Sequence, residues 1–466
     1  MTQQAQLKTP GINKPETAGE MVRRILAETE TFSREALAEY QRGQLAELLR
    51  FAQSKSPFYR ERLKPLFARN GDIDWRAWGS IPVLTREDIK AHGNSMLALE
   101  LPPGHGEVHT TASSGTTGTP VTVHFSRLML TAGTAAFARA ARRYGQTDDD
   151  RYCVVVNQSE YKFLDPRTWA IETSDSGESS AAFAPARLAI DMNWAPDRIL
   201  ALMERHGSTC FSGYATVLED VAEAQIERQS PVKLKFMVGT SMAITERGRS
   251  LARQAFNAPA FSAYTSKEAH KIAHECPVSG GFHVNSELVM VEILDDSGQP
   301  CGPGETGRVI VTPFLSTAQP LIRYEQGDLA SWGGPCPCGR AHPLLVRIEG
   351  RIVNQFRFGD DRRLTPPIGH APYRDLLKAD KWQVAQTGPF NIEVRFVSST
   401  PDEAIDFAGM TALFQKSYHP GLEVQFRRLA AIPLTAAGKF IPYVNEHETG
   451  REPAPRVPPA PLKMNS

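Results

Sequence analysis

Neither sign of charge is in excess in this chain: 52 lysines and arginines stand against 52 aspartates and glutamates. A balanced chain has no net field to gather a polyanion, so nucleic acid and acidic membrane surfaces are not expected partners and a small molecule is favoured. Long apolar runs are missing too, since no stretch approaches the roughly 18 residues that span a bilayer. The opening segment Met1 to Glu20 is polar, contains Pro10 and Pro15, and lacks the apolar centre of a signal peptide. Cysteine is scarce, with six in 466 residues, which excludes a disulfide-stapled secreted scaffold. The expectation is a soluble cytoplasmic protein, monomer or homodimer, without nucleic-acid or membrane partners.

A length of 466 residues, at roughly 150 per domain, allows two or three domains. Apolar positions recur at helical spacing from Arg34 to Leu63, and Thr85 with Asp88 three residues on opens a further helix after Ile81-Pro82-Val83-Leu84. Beyond this helical N-terminal region, Tyr152 to Val156, Thr209 to Phe211, Leu234 to Val238 and Phe261 to Tyr264 read as strands. Leu218 to Glu227 and Thr245 to Phe256 read as helices between them, an alternation that predicts a largely parallel sheet. Antiparallel structure is expected to begin with Glu287 to Leu294 and Arg308 to Thr312, which are joined through Asp296-Ser297-Gly298. After a boundary near Val353, strands at Trp382 to Thr387, Asn391 to Val397 and Leu422 to Arg428, with a helix over Asp402 to Lys416, predict a small α+β unit. The proline-dense stretch from Glu452 to Leu462 reads as a disordered tail.

Ser113-Ser114-Gly115-Thr116-Thr117-Gly118-Thr119-Pro120 concentrates hydroxyls and flexible backbone just before the alternating strand Val121 to Phe125. Glycines let backbone N–H groups turn inward as an anion nest, and the hydroxyls add donors without a tethering charge. No Gly-Lys-Ser/Thr follows, so this is not a Walker loop.

That loop resembles the nucleotide loop of the acyl-adenylate-forming, or AMP-binding, superfamily. Lys55 to Leu63 and Ile81 to Thr85 resemble the N-terminal region of its phenylacetate-CoA ligase branch, and the similarity runs through nearly the whole chain. It implies ATP binding by Ser113, Ser114, Gly115, Thr116, Thr117 and Gly118. Thr119 departs from the family, many members of which carry lysine there. Gly239-Thr240-Ser241 is similar to the turn that lines adenine, and Ala263-Tyr264-Thr265-Ser266-Lys267-Glu268 to the following motif. Tyr264 would stack on adenine and Glu268 would hold Mg²⁺ against the phosphates, a hard cation suited to carboxylate oxygen. Lys267 stands where the family has a hydroxyl residue, and direct contact with phosphate is expected of it. Asp328, in Pro320 to Asp328, would bridge the ribose hydroxyls, and Arg351 would meet ribose or phosphate. Lys439, in Pro433-Leu434-Thr435-Ala436-Ala437-Gly438-Lys439, resembles the mobile catalytic lysine, a cation that offsets repulsion as a carboxylate approaches the α-phosphate.

The fold class implied is α/β. A large adenylation domain with mostly parallel sheets, residues 1–352, would precede a small α+β lid, 353–450, and a tail, 451–466. The implied activity is AMP-forming ligation of a small aromatic carboxylic acid to a thiol, with coenzyme A as first choice. A carrier-protein thiol or an amine stays open as acceptor, because Val353-Asn354 and the following Phe356-Arg357-Phe358-Gly359 depart from the usual pattern, and a degenerate nucleotide-binding role stays open because of Thr119 and Lys267. Cys336-Pro337-Cys338-Gly339 has the spacing of a metal knuckle, with Cys276 and His283 upstream. Four such ligands suit tetrahedral zinc in a closed structural site, and some relatives of this branch are similar here. His274 and His342 are rivals for the fourth position.

Overall fold

The computed structural model of the chain describes residues 17–113, 121–164, 169–171, 186–351, 356–359, 363–364, 371–379, 381–432 and 443–449. Helices come first: α1 (Ala18–Glu28), α2 (Arg34–Lys55), α3 (Pro57–Arg62) and α4 (Arg86–Met96). The helical pattern from Arg34 to Leu63 is two helices, because Pro57 has no N–H to continue α2 and starts α3 instead. Thr85 and Asp88 form a reciprocal capping box at the start of α4. An antiparallel hairpin of β1 (Val108–Ser113) and β2 (Val121–Ser126) follows, closing on the pair Ser113 and Val121, and α5 (Arg127–Arg143) leaves it capped by Ser126.

A 12-stranded sheet carries the rest of the N-terminal part. Its parallel half contains β3 (Tyr152–Val156), β4 (Ala170–Ile171), β5 (Arg187–Asp191), β6 (Cys210–Tyr214), β7 (Phe236–Thr240) and β8 (Ala260–Ser266), in the order β8-β7-β6-β3-β5-β4. These strands are apolar on both faces, as strands covered on both sides must be. Cys153, Val155, Phe211 and Met237 pack with α6 (Pro196–His206), α7 (Ala215–Arg228) and α8 (Glu246–Phe256). Their neighbours Tyr152, Cys210, Phe236 and Val238 meet Ala140, Ala141 and Tyr144 at the end of α5 and beyond it.

The antiparallel half begins earlier than the sequence pattern suggests. Residues 267–269 turn the chain back after β8, and β9 (His270–Glu275) pairs antiparallel with it. The turn has no glycine; His270 takes the left-handed conformation, φ 57°, that normally signals one. Then come β10 (Phe282–Val284), β11 (Val289–Leu294), β12 (Thr306–Pro313), β13 (Tyr324–Trp332) and β14 (Leu344–Arg351), in the order β11-β12-β13-β14-β10-β9-β8.

Towards the C-terminus lie β15 (Phe356–Arg357), β16 (Arg363–Leu364), α9 (Ala371–Asp375), β17 (Lys381–Gly388), β18 (Asn391–Val397), α10 (Phe407–Ser417), β19 (Glu423–Arg428) and β20 (Tyr443–Asn445). They form a sheet of order β19-β18-β17-β20 over a separate core that includes Tyr373, Trp382, Val394 and Phe414. The helix expected from Asp402 starts at Phe407, because the Asp406 side chain accepts from the Gly409 N–H and caps it there. Among the described residues, no helix is long and apolar enough to cross a membrane.

Candidate active site

Ligand sites in parallel α/β sheets form where the strands end in their carboxyl direction. Here Tyr214 ends β6, Thr240 ends β7, and Tyr264 stands two residues before the end of β8. Side by side in register, Gly213 and Gly239 keep the approach to this edge narrow. A methyl group on Gly239 would come within 2.5 Å of Ile244 Cγ1, and one on Gly213 within 2.9 Å of the Val155 carbonyl. Thr240 donates its hydroxyl to the Gly213 carbonyl at 3.1 Å, and Ser241 turns the chain away at φ 68°.

Two of the predicted nucleotide residues meet directly. The Tyr264 hydroxyl donates to Asp328 Oδ2 at 2.6 Å, although the two are 64 positions apart. Arg351 pairs with Asp328 across β13 and β14, so its backbone is at the same place. Lys267 reaches the other way, donating to Glu160 Oε1 at 2.8 Å. Tyr214 donates to that same oxygen at 3.4 Å. Glu268 is buried, takes a 3.3 Å hydrogen bond from the Tyr324 hydroxyl, and has the Arg86 guanidinium 3.9 Å away.

The segment leading to Asp328 is clasped by the N-terminal helices. Tyr59 donates its hydroxyl to the Pro320 carbonyl at 2.9 Å and accepts from the Ile322 N–H at 3.2 Å. Leu84 bonds to the Arg323 carbonyl and the Glu325 N–H at 2.8 and 2.9 Å. Arg323 itself sits at φ 55°, its guanidinium bonded to the Ile81 carbonyl at 2.6 Å and to Glu292 at 3.3 Å. The two N-terminal segments that resemble the phenylacetate-CoA ligase branch are therefore the clamp on the Asp328 strand.

Cys276, His283, Cys336 and Cys338 converge, with their ligand atoms all within 4.8 Å of one another. The Cys276 and Cys336 sulfurs are 3.8 Å apart, and His283 Nε2 is 3.1 Å from Cys338 Sγ. A tetrahedral zinc with Zn–S of about 2.3 Å requires sulfurs about 3.8 Å apart, so the cluster has the size of such a site. His283 Nδ1 donates to the His342 carbonyl at 3.0 Å, which leaves Nε2 as a lone pair facing the thiols. Burial holds the His283 ring neutral, its pKa down at about 4. Burial alone would raise the Cys276 thiol, but hydrogen bonds from the Ser279 and Val278 N–H groups outweigh it and bring it to about 7. Neither rival histidine is part of this cluster: His274 Nδ1 lies 3.2 Å from the Asn285 amide, and His342 Nε2 is 2.8 Å from Glu287.

No protein-family model matches the chain. The curated phenylacetate-coenzyme A ligase of Thermus thermophilus is 24% identical over 349 residues, 70% of this chain and 74% of the relative. That of Pseudomonas putida is 23% identical over 344 residues, 71% and 74% of the two chains. The chain is thus similar over about 70% of its length to two phenylacetate-coenzyme A ligases. Solved structures share the fold. The 2-hydroxyisobutyryl-CoA ligase in its postadenylation state with 2-HIB-AMP superposes with a TM-score of 0.64 at 17% identity, covering 91% of this chain and 92% of that one. O-succinylbenzoate coenzyme A synthetase from Bacillus subtilis, with ATP and magnesium ion, gives 0.51 at 16% identity over 72% and 68%.

Several expected positions lie outside the described residues: Ser114, Gly115, Thr116, Thr117, Gly118, Thr119, Val353, Asn354 and Lys439. Ser113 is described only as the last backbone position of β1, and Arg351 only as that of β14. Four residues that local patterns did not single out join the site: Glu160 and Tyr214 beside Lys267, Arg86 and Tyr324 beside Glu268. Tyr324 lies within the Pro320 to Asp328 segment that the sequence already marks, but nothing near Glu160 distinguishes it from a solvated acid.

Proposed function

We propose that this protein is an AMP-forming ligase that activates a small aromatic carboxylic acid as its acyl-adenylate and passes the acyl group to the thiol of coenzyme A. The observation that carries the reading is the 2.6 Å bond between Tyr264 and Asp328 at the carboxyl edge of the parallel strands. It puts a ring face for adenine next to a two-oxygen acceptor for the ribose hydroxyls. Glu268, held by Tyr324 and flanked by Arg86, supplies an oriented carboxylate for a magnesium ion. That ion would neutralise phosphate charge. Arg351, whose backbone is paired with Asp328 on the neighbouring strand, would meet ribose or phosphate. Lys439 would approach the α-phosphate from a C-terminal lid, residues 353–450, that moves relative to residues 1–352.

Cys276, His283, Cys336 and Cys338 would hold zinc with every position filled by protein, so its role is structural.

The reaction predicts acid-dependent exchange of labelled pyrophosphate into ATP. Across aromatic and aliphatic acids, at least one aromatic acid should give exchange, and Lys439→Ala should cut the rate by about 10²–10³, the usual loss on removing one transition-state charge contact. Thioester formation with coenzyme A, followed separately, tests the acceptor. Absence of exchange with every acid sinks the ligase reading.

A further inference from the structure

The Lys267–Glu160 pair does not belong to the nucleotide site. Tyr264 faces Asp328 on β13, on one side of β8, whereas Lys267 faces Glu160, which follows β3 on the other side. Tyr214, ending β6 between β7 and β3, completes the group. With the nucleotide over Tyr264, Asp328 and the β7 turn, an acyl group attached to the α-phosphate would lie towards the neighbouring strand ends, those of β6 and β3.

An ion pair there adds little to folding. The side chains of Lys267 and Glu160 keep 35% and 27% of their exposure, and pairs of that kind contribute about 0–1 kcal/mol. Both contacts to Glu160 fall on Oε1, and Oε2 has no partner among the described residues. Lys267 and Tyr214 thus hold a carboxylate with one oxygen still able to accept. Three residues on, half-buried Phe163 opens a cluster of rings, 5.5 Å from both Phe125 and His109, with His270 4.5 Å beyond Phe125. Phe125 is itself buried, so Phe163 and His109 present the ring edge, and with one fixed acceptor beside it that edge suits an acid that has an apolar body and a single donor.

We infer that Glu160 is a specificity-determining residue that selects carboxylic acids bearing a second group able to donate a hydrogen bond, a hydroxyl or an amine, and discriminates against the unsubstituted acid. The inference rests on the ligase reading above and names its substrate class. Lys267 acts as a positioning residue that orients Glu160, in place of the phosphate contact its sequence position suggests.

The test is kcat/KM for pyrophosphate exchange with matched acids: benzoate against 4-hydroxy- and 4-aminobenzoate, and phenylacetate against 3- and 4-hydroxyphenylacetate and 4-aminophenylacetate. A donor-bearing acid should exceed its unsubstituted partner by about tenfold to a hundredfold, the worth of a hydrogen bond to a charged group. Glu160→Gln should shrink that ratio and Glu160→Leu abolish it; using the ratio cancels any general loss of rate in the variants. Equal use of both members of every pair by the unaltered protein overturns the inference and leaves the ligase reading standing. So does an equal loss for both members in Glu160→Gln. No exchange with any acid overturns both.

Discussion

His270 shows how much one side chain can be set against its own chemistry. Burial first, then the nearby Lys271 and Lys267 cations, push its pKa from 6.5 down to about 3. Its Nε2 is buried without a hydrogen-bond partner among the described residues, and the ring lies edge-on to Phe125 at 4.5 Å. Because the folded value lies below the unfolded one, the neutral ring's contribution to stability is complete above pH 6.5 and is lost as pH falls towards 3. The thermal midpoint should therefore drop between pH 7.5 and 5, and less steeply in His270→Asn, since asparagine tolerates the φ of 57° without gaining a proton. Identical pH profiles for the two proteins would rule this out.

The clasp between α3, the chain before α4 and the segment entering β13 works as a unit. Tyr59 is fully buried and satisfies two backbone groups, the Pro320 carbonyl and the Ile322 N–H, that have no water to turn to. Tyr59→Phe leaves both unpaired at a cost of about 1–3 kcal/mol each. It should lower the urea midpoint and, by loosening the approach to Asp328, raise KM for ATP more than KM for the acid. Unchanged stability with unchanged KM values would show that the segment is held without it. The helix and most strands of this unit follow from capping and apolar spacing, whereas the contact between Tyr59 and Pro320 spans 261 positions, a distance no local pattern can encode.

Across the whole N-terminal part, the Cys/His cluster is tied back to the first helices through charge. Arg340, two residues beyond Cys338, bonds to Glu30 at 3.0 Å, and Glu30 also meets Arg139 at 3.2 Å and Arg143. Glu287, kept ionised despite its burial by Arg139 and His342, joins the same network. A metal ion in the cluster would fix β9, β10 and the loop before β14, and through Arg340 the end of α1. Protein made with zinc available should contain about one zinc per chain, the stoichiometry of a closed four-ligand site. Chelation or Cys336→Ser should lower stability by about 2 kcal/mol or more, the range of mutations that remove a metal. Zinc-free protein that melts at the same temperature would end the structural-metal reading.

Candidate residues that lie within a few consecutive positions stand out without coordinates. The Tyr264 to Glu268 segment, the approach to Asp328 and the paired cysteines at 336 and 338 show by composition and order. So does the hydroxyl-rich loop at 113–120, which lies outside the described residues beyond Ser113. Strands β3, β6, β7 and β8 of the parallel half were legible because burial on both faces forces continuous apolar runs, whereas β4 and β5 were not read from the sequence. The early turn into β9 was not, since His270 occupies a conformation its residue type does not advertise. Nor were the pairings around the site: Lys267 with Glu160, and Glu268 with Tyr324 and Arg86. Each depends on strand order and register across the sheet. Those are settled by how all the apolar faces are covered at once, so a residue's partner is chosen by the fold and not by its neighbours in the chain.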